Sequence, residues 1–190
     1  MGTVALVIAA DRGSGSGLPK QLFSVGGRPL IEVVVAEARA WPVDDIVVVL
    51  GSHAEEVLDG AELDRATVVI DPEWSEGSAS PLRAGLDTIT RSGEFETAVL
   101  AHGDQPGVPS EVVRVLLRTQ REHKAAAAFP RYRYAPGWPI VVHDELWPWL
   151  LGLEGNPELL DLLRSHPRGA EEVWLDRLAP PRIDREDDLA

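Results

Sequence analysis

The stretch Thr3-Val-Ala-Leu-Val-Ile-Ala-Ala10 decides the fold of this chain. It is a short apolar run, rich in β-branched residues, and a glycine-rich segment follows it directly. Apolar side chains at successive positions are typical of a strand that is buried on both faces, as in a parallel sheet. Similar short runs occupy residues 45–50, 66–70 and 97–101, and the sequence predicts a buried strand for each of them.

Helical patterns separate these runs. Residues 29–40 form the first, and Ser80 and Ser110 each stand at the start of a further pattern as candidate N-cap residues. Alternating strands and helices predict an α/β fold: one doubly wound, mainly parallel sheet with helices on both faces. We expect a single domain over residues 1–190, in which residues 130–139, rich in aromatic residues and proline, leave the sheet and return to it.

The composition is that of an ordinary globular protein. Of 190 residues, 44% are hydrophobic and 26% are charged, which excludes intrinsic disorder for most of the chain. The absence of cysteine excludes disulfides, thiolate metal sites and cysteine nucleophiles. The net charge of −13 argues against nucleic acid or an anionic membrane as a partner. With no stretch that could span a bilayer and no basic signal-peptide start, we expect a cytoplasmic protein.

Two loops that follow predicted strands carry the chemistry, because ligands of such sheets bind beyond the carboxyl ends of the strands. In the first loop, Gly13, Gly15 and Gly17 can bring backbone N–H groups close to an anion, and Lys20 adds a positive charge. The glycine spacing fits neither the dinucleotide fingerprint nor the P-loop, so a mobile glycine-serine turn is the alternative.

The second loop is Gly103-Asp-Gln-Pro106, directly after a predicted buried strand. A carboxylate at Asp104 can hold a hard cation such as Mg²⁺, and the alternative is that it caps the loop or the next helix. As a loop carboxylate, Asp104 is expected to contribute little to folding, so Asp104→Ala should leave the fold nearly intact. His102 stands beside it as a candidate ligand contact; the histidines show no metal-ligand spacing.

Several motifs together resemble those of the MobA-like nucleotidyltransferases. Ile8-Ala-Ala-Asp-Arg-Gly-Ser-Gly-Ser-Gly-Leu-Pro-Lys20, followed by Gly26-Gly-Arg-Pro-Leu30, is similar to the family signature L-A-A-G-x-S-x-R-M-G-x-x-K…G-x-P-L. Residues 71–86 resemble the family segment N-x-x-W-x-x-G-x-x-x-S-L-x-x-G-L. Gly103-Asp-Gln-Pro106 matches the G-D-Q-P motif of the molybdenum cofactor cytidylyltransferase branch, and residues 183–189 resemble the closing D-I-D-T-P-E-D-L.

This resemblance implies a Rossmann-like nucleotidyltransferase fold and a Mg²⁺-dependent reaction. An NMP, CMP rather than GMP, would pass from CTP or GTP to a phosphorylated acceptor such as molybdopterin, with release of pyrophosphate. A partner protein in molybdoenzyme maturation is also implied. By resemblance, the residues of the site are Ala9, Ala10, Gly13, Gly17, Lys20, Gly77 and Ser80 for the nucleotide, Lys20 and Asp104 for catalysis, and Asp104 and Asp184 for the metal.

The chain also departs from the family pattern. Asp11 replaces the first glycine and puts a carboxylate where a triphosphate should lie, and Gly15-Ser16 replaces the Arg-Met pair that supplies a cation. Trp138 replaces a histidine, and Arg182 replaces the first aspartate of the closing motif. Two alternatives therefore stay open: a catalytically silent MobA-like homologue that binds a nucleotide or partner, and an oxidoreductase of the nicotine blue oxidoreductase type.

Overall fold

The first predicted strand forms near the centre of a seven-stranded sheet in the computed structural model, which describes residues 1–11, 17–63 and 65–189. A two-stranded hairpin stands apart from this sheet. The strands in chain order are β1 (Gly2–Ala9), β2 (Ser24–Val25), β3 (Arg28–Pro29), β4 (Asp45–Leu50), β5 (Thr67–Ile70), β6 (Phe95–His102), β7 (Ala127–Arg131), β8 (Ile140–His143) and β9 (Ala170–Trp174).

The helices cover both faces of the main sheet. In chain order they are α1 (Leu30–Ala38), α2 (Ala54–Gly60), α3 (Ala79–Ser92), α4 (Ser110–His123), α5 (Trp147–Leu150) and α6 (Leu159–Ser165). Short 3₁₀ turns add Lys20–Leu22, Trp74–Glu76, Asp144–Leu146 and Glu186–Leu189. In the part of the chain that the structure describes, no helix is long and apolar enough to cross a membrane.

The sheet order is β5-β4-β1-β6-β8-β7-β9. Four neighbouring pairs are parallel, and β8 alone runs antiparallel, between β6 and β7. The predicted α/β class with a mainly parallel sheet is confirmed. The chain leaves β1 toward β4, whereas β6 lies on the other side of β1, so the order of the strands reverses between β1 and β6. In such sheets this switch point is where ligands bind, outside the carboxyl ends of the strands.

Alternate residues of the central strands enter two separate cores. In β1, Ala5 and Val7 pack with α1, α2 and α4, whereas Val4 and Leu6 pack with α3, α5 and α6. All four of these side chains have no measurable exposure. Burial on both faces explains why the run is apolar at successive positions rather than at every second one.

The segment between β7 and β8 is the predicted excursion. It connects two antiparallel neighbours of the same sheet, so the chain does leave the sheet after Arg131 and re-enter it at Ile140.

The predicted helix starts need correction. Helix α3 begins at Ala79 and α4 at Ser110, and neither Ser80 nor Ser110 is an N-cap: the Ser80 hydroxyl donates to Asp71 Oδ1 at 3.0 Å, and the Ser110 hydroxyl to the Ala40 carbonyl at 2.7 Å.

Gly85 lets α3 lie close to the sheet. A Cβ at this position would overlap with Leu6 Cδ1 and would lie 2.9 Å from Val49 Cγ2. At an unobstructed helical position, Gly→Ala gains about 0.5–1 kcal/mol, whereas overpacking a core costs about 1–3 kcal/mol. We therefore expect Gly85→Ala to lower the free energy of unfolding by roughly 1 to 2 kcal/mol, as measured by urea denaturation.

The matched control is Thr88→Ala on the half-buried side of the same helix. It removes a methyl group and a hydroxyl that is bonded to the Ala84 carbonyl of its own helix, so a change within about 0.5 kcal/mol is expected. A gain in stability for Gly85→Ala would show that α3 does not need this close approach.

Candidate active site

A buried glutamine positions the 3₁₀ turn that carries Lys20. The Gln21 side-chain amide donates to the Ala9 carbonyl at 2.6 Å and to the Asp11 carbonyl at 3.3 Å. Gln21 is buried, and these bonds hold the turn against the carboxyl end of β1. Lys20 is thereby directed toward the end of the neighbouring strand β6. Sequence reasoning missed Gln21, whose only signal is its place next to Lys20.

Three carboxylates converge on the Lys20 ammonium. Its Nζ lies 2.5 Å from Asp104 Oδ2, 3.0 Å from Asp11 Oδ2 and 3.5 Å from Asp184 Oδ1. Lys20 and Asp104 are 5% and 4% exposed, so this pair is buried, whereas the other two carboxylates reach solvent. The structure thus brings together the two residues that the sequence proposes for catalysis, at the ends of β1 and β6.

A second cation reaches the same carboxylate. Arg182 Nε donates to Asp104 Oδ1 at 3.0 Å, and its Nη2 donates to Asp104 Oδ2 at 2.7 Å. This is the two-pronged geometry in which a planar guanidinium matches both oxygens of a carboxylate. Arg182 Nη2 also lies 3.6 Å from Asp11 Oδ2. The sequence marked Arg182 only as a departure from the family pattern, and its contact with Asp104 was not anticipated.

The C-terminal segment is fixed to the Asp104 loop by its backbone. The Ile183 N–H donates to the Asp104 carbonyl at 2.7 Å, and the Gln105 side chain donates to the Pro180 carbonyl at 2.8 Å. Ile183 is 3% exposed and packs in the core. These contacts place the residues on either side of Ile183, Arg182 and Asp184, at the site.

The charges stabilise one another against burial. Burial alone would raise the pKa of Asp104, but the hydrogen bond from Arg182 and the charge of Lys20 outweigh it and lower the pKa. Burial likewise disfavours the charged form of Lys20, but the carboxylates of Asp104 and Asp11 raise its pKa. Both groups therefore remain charged through the neutral pH range.

The predicted Mg²⁺ ligands, Asp104 and Asp184, are engaged in these ion pairs. Both oxygens of Asp104 accept hydrogen bonds from cations, and Asp184 contacts Lys20. Within residues 1–11, 17–63 and 65–189, no group of three or more His, Cys, Asp or Glu side chains is arranged to hold a metal ion. As arranged, this donor set does not fit a resident divalent cation, because the cation would have to displace Arg182 or Lys20 from Asp104.

Two of the predicted nucleotide contacts lie in one cavity beside this cluster. The cavity measures about 340 Å³, and Ala10, Asp11, Trp74 and Gly77 are among the residues that line it. Gly77 has a φ of +132°, and a Cβ there would overlap with the Gly155 carbonyl. The turn that carries it therefore requires glycine.

Of the other predicted nucleotide contacts, Ala9, Ser80 and Gly17 do not line this cavity. Ala9 is buried where Gly103 packs against it, and a Cβ on Gly103 would lie 2.5 Å from that of Ala9. Ser80 is buried with its hydroxyl bonded to Asp71. Gly17 is exposed with a φ of +86°. Gly13, Arg12 and Gly15 lie outside the described residues.

A second cavity of about 320 Å³ adjoins the first, and Asp11 contributes to both. Its lining includes Leu82, His102, Trp138 and Arg182. The His102 and Trp138 rings are 4.0 Å apart between centroids. Burial, followed by the charge of Arg182, lowers the pKa of His102 to about 4, so this ring is neutral at pH 7. The cavity therefore combines an apolar wall, a neutral imidazole, one guanidinium and the carboxylates of Asp11 and Glu158.

Residues 5–170 match the model of the family described as the MobA-like NTP transferase domain. The chain belongs to this family. The resemblance seen in the sequence motifs is thereby confirmed, and the family is one of nucleotidyltransferases. Among curated relatives, nicotine blue oxidoreductase of Paenarthrobacter nicotinovorans is 29% identical over 170 residues, 86% of this chain and 81% of that protein. The bifunctional protein GlmU of Desulfitobacterium hafniense is 31% identical over 125 residues, which are 65% of this chain but only 26% of GlmU.

Several solved structures superpose on nearly the whole chain. A homologue of Mycobacterium tuberculosis Rv0371c from Mycobacterium sp. strain JC1 has a TM-score of 0.85 and 31% identity, covering 98% of this chain and 92% of that one. Rv0371c from M. tuberculosis in complex with manganese has a TM-score of 0.81 and 23% identity, covering 99% and 96%. CMP:2-keto-3-deoxy-manno-octonic acid synthetase in complex with CTP has a TM-score of 0.76 and 14% identity, covering 100% and 95%. At such low identity, the last two show the fold alone.

The burial of Asp104 changes what its removal should do. The sequence suggested a loop carboxylate of little structural weight, but in the structure its loss leaves Lys20 buried without its closest partner. Breaking a buried ion pair from one side costs about 3–5 kcal/mol. We expect Asp104→Ala to lower the free energy of unfolding by about this amount in urea denaturation. Asp184→Ala, at a 66% exposed carboxylate, should change it by less than about 1 kcal/mol, and equal losses in the two variants would contradict this reading of the cluster.

The ion pairs of Asp104 make the free energy of unfolding depend on pH, and the lowered pKa of Asp104 sets the sign. Because the pKa of Asp104 is lowered on folding, its ionised form stabilises the folded state at pH values above the unfolded pKa of about 3.9. That contribution is lost as the pH falls through the folded pKa. The difference in unfolding free energy between the parent and Asp104→Ala should be constant from about pH 8 to pH 5 and should shrink below about pH 4. Urea titrations across this range test it, and a difference that vanishes near pH 6 would point to a histidine instead.

Proposed function

We propose that this chain is a nucleotidyltransferase that moves an NMP from an NTP to a phosphorylated small-molecule acceptor and releases pyrophosphate. The observation that carries the proposal is the placement of two cations, Lys20 and Arg182, side by side at the switch point between β1 and β6. Family membership supports the reaction class. We propose that residues 1–190 act as one such domain.

The reaction depends on alignment and charge neutralisation more than on covalent help from the protein. An acceptor phosphate oxygen attacks the α-phosphorus of the NTP, the bond from that phosphorus to the bridging oxygen breaks, and pyrophosphate leaves with the electron pair. Lys20 and Arg182 would neutralise the phosphates. The cavity beside Ala10 and Gly77 would take the nucleoside, and the cavity beside His102 and Trp138 would take the acceptor.

The finer identity of the substrates follows from the sequence motifs. Gly103-Asp-Gln-Pro106 has the form found in the cytidylyltransferase branch, so we propose CTP rather than GTP as the donor. The same branch suggests molybdopterin as the acceptor and a molybdoenzyme-maturation protein as a partner. We propose Mg²⁺ as an ion that would accompany the NTP, not as a resident ion on Asp104. Because the described donor set does not fit a resident cation, we assign no step to it.

In this structure Lys20 and Arg182, the cations that would bind a triphosphate, are paired with carboxylates. Asp11 stands where the family has glycine. Its side chain reaches solvent and also pairs with Lys20. Binding of a triphosphate therefore has to exchange these contacts for contacts with phosphate oxygens. Two like charges about 4 Å apart cost roughly 1 kcal/mol in water and about 4 at an effective dielectric of 20, so Asp11 weakens binding without abolishing it.

The test is pyrophosphate release from CTP, GTP, ATP and UTP with candidate acceptors, each with Mg²⁺ and with EDTA. The chain has two lysines, which provide a matched pair of variants. Lys20→Gln should lower the rate by about 10²–10³-fold, as loss of a preorganised charge-stabilising group does. Lys124→Gln, at the end of α4 and away from the site, should leave the rate unchanged. Equal rates in the two variants would contradict the role of Lys20.

The second candidate is an oxidoreductase, which is favoured by the match to nicotine blue oxidoreductase over most of both chains. Oxidation of NADH or NADPH, followed at 340 nm with quinone-like acceptors, would distinguish it. Release of pyrophosphate without such oxidation supports the transferase, and the reverse supports the oxidoreductase. Absence of both activities, with nucleotide binding retained, would favour the silent homologue.

A further inference from the structure

Arg182 places a positive charge on Asp104, the residue that the family resemblance predicts as a metal ligand. The family pattern has an aspartate at the position of Arg182, and the resemblance places a divalent cation on Asp104. In this chain the residue that would add a third acidic group is instead a cation bonded to the predicted metal ligand. The substitution reverses the sign of the side chain at the point where a metal would need acidic ligands.

We propose that Arg182 takes the place of a divalent cation on Asp104 and presents its remaining N–H groups to a phosphate group of the ligand. The proposal rests on the nucleotidyltransferase site described above. Lys20 and Arg182 together carry two positive charges, equal to the charge of one divalent cation. Both contact Asp104 directly, at 2.5 Å and 2.7 Å from Oδ2.

The geometry allows Arg182 to hold Asp104 and an anion at the same time. A guanidinium has five N–H donors, of which the contacts at Nε and Nη2 use one each on Asp104. The other donors, at Nη2 and Nη1, remain for a ligand. The side chain is 42% exposed and lines the cavity that also contains His102 and Trp138. Arg182 thus reaches from a buried carboxylate into an open cavity.

The backbone around Arg182 fixes it in this position. Ile183 is buried and its N–H is bonded to the Asp104 carbonyl, so the residue next to Arg182 is tied to the loop that Arg182 contacts. On the other side, the Pro180 carbonyl accepts a hydrogen bond from Gln105. The backbone on both sides of Arg182 is therefore held against the loop that carries Asp104.

Two ligands that involve neither nucleotide nor turnover test this proposal. The first is Mn²⁺ alone, measured by electron paramagnetic resonance. The parent chain should bind Mn²⁺ only weakly at Asp104. Arg182→Gln should bind it on the order of tenfold more tightly or better than the parent, because a positive charge leaves and a carboxylate oxygen is freed. Adding Asp104→Asn to Arg182→Gln should remove that gain.

The second ligand is inorganic tripolyphosphate in EDTA, measured by calorimetry. Arg182→Gln should lower its affinity by about tenfold, since one charged contact is lost. The matched control is Arg185→Gln, three residues further along the same segment, which changes the net charge equally but makes none of the contacts with Asp104. It should resemble the parent chain in both measurements.

The proposal is overturned if Arg182→Gln behaves like Arg185→Gln in either measurement. Circular dichroism and thermal melting establish that each variant is folded. If Arg182→Gln does not fold, Arg182→Lys replaces it and should show both changes in smaller size, because lysine keeps the charge but cannot contact both carboxylate oxygens at once. Failure of pyrophosphate release would refute the transferase and leave these binding results standing, so the two failures are distinguishable.

Discussion

A single buried carboxylate joins the parts of this protein that form its candidate site. An ionised group in a protein interior is tolerated only where partners compensate for the lost water. Asp104 meets this requirement with Lys20, 84 residues earlier in the chain, and with Arg182, 78 residues later. The turn after β1, the loop after β6 and the C-terminal segment are thus held together by one carboxylate.

This arrangement also sets the electrostatics of the site. The chain carries a net charge of −13, so an anionic ligand meets an unfavourable field over most of its surface. Lys20 and Arg182 concentrate positive charge at the switch point of the sheet, but carboxylates neutralise it in the absence of a ligand. An anion that binds here would have to replace contacts that these carboxylates make with Lys20 and Arg182. The sequence alone predicts that Asp11 repels a triphosphate, and the structure shows that Asp11 also pairs with Lys20.

The parts of the fold that were foreseen are those in which local sequence and local structure agree. Strand β4 occupies residues 45–50 as predicted, and β1, β5 and β6 differ from the predicted runs by one or two residues at their ends. The later strands β7, β8 and β9 were not predicted. All positions of strand β9 are half-exposed or exposed, so β9 carries no continuous apolar run. Strand β8 pairs antiparallel with both β6 and β7, and no local pattern in the chain indicates its pairing with β6.

The sequence by itself determined the sheet class, the order of the motif-bearing loops and the family, because each depends on residues close together in the chain. It also placed Lys20 and Asp104 at the ends of two strands, and the rule that ligands bind there made them candidates. Only the tertiary structure decided that Asp104 is buried, that Gln21 orients Lys20, and that Arg182 covers both carboxylate oxygens. These contacts join residues far apart in the chain, and their geometry is set by how the sheet packs rather than by any local pattern.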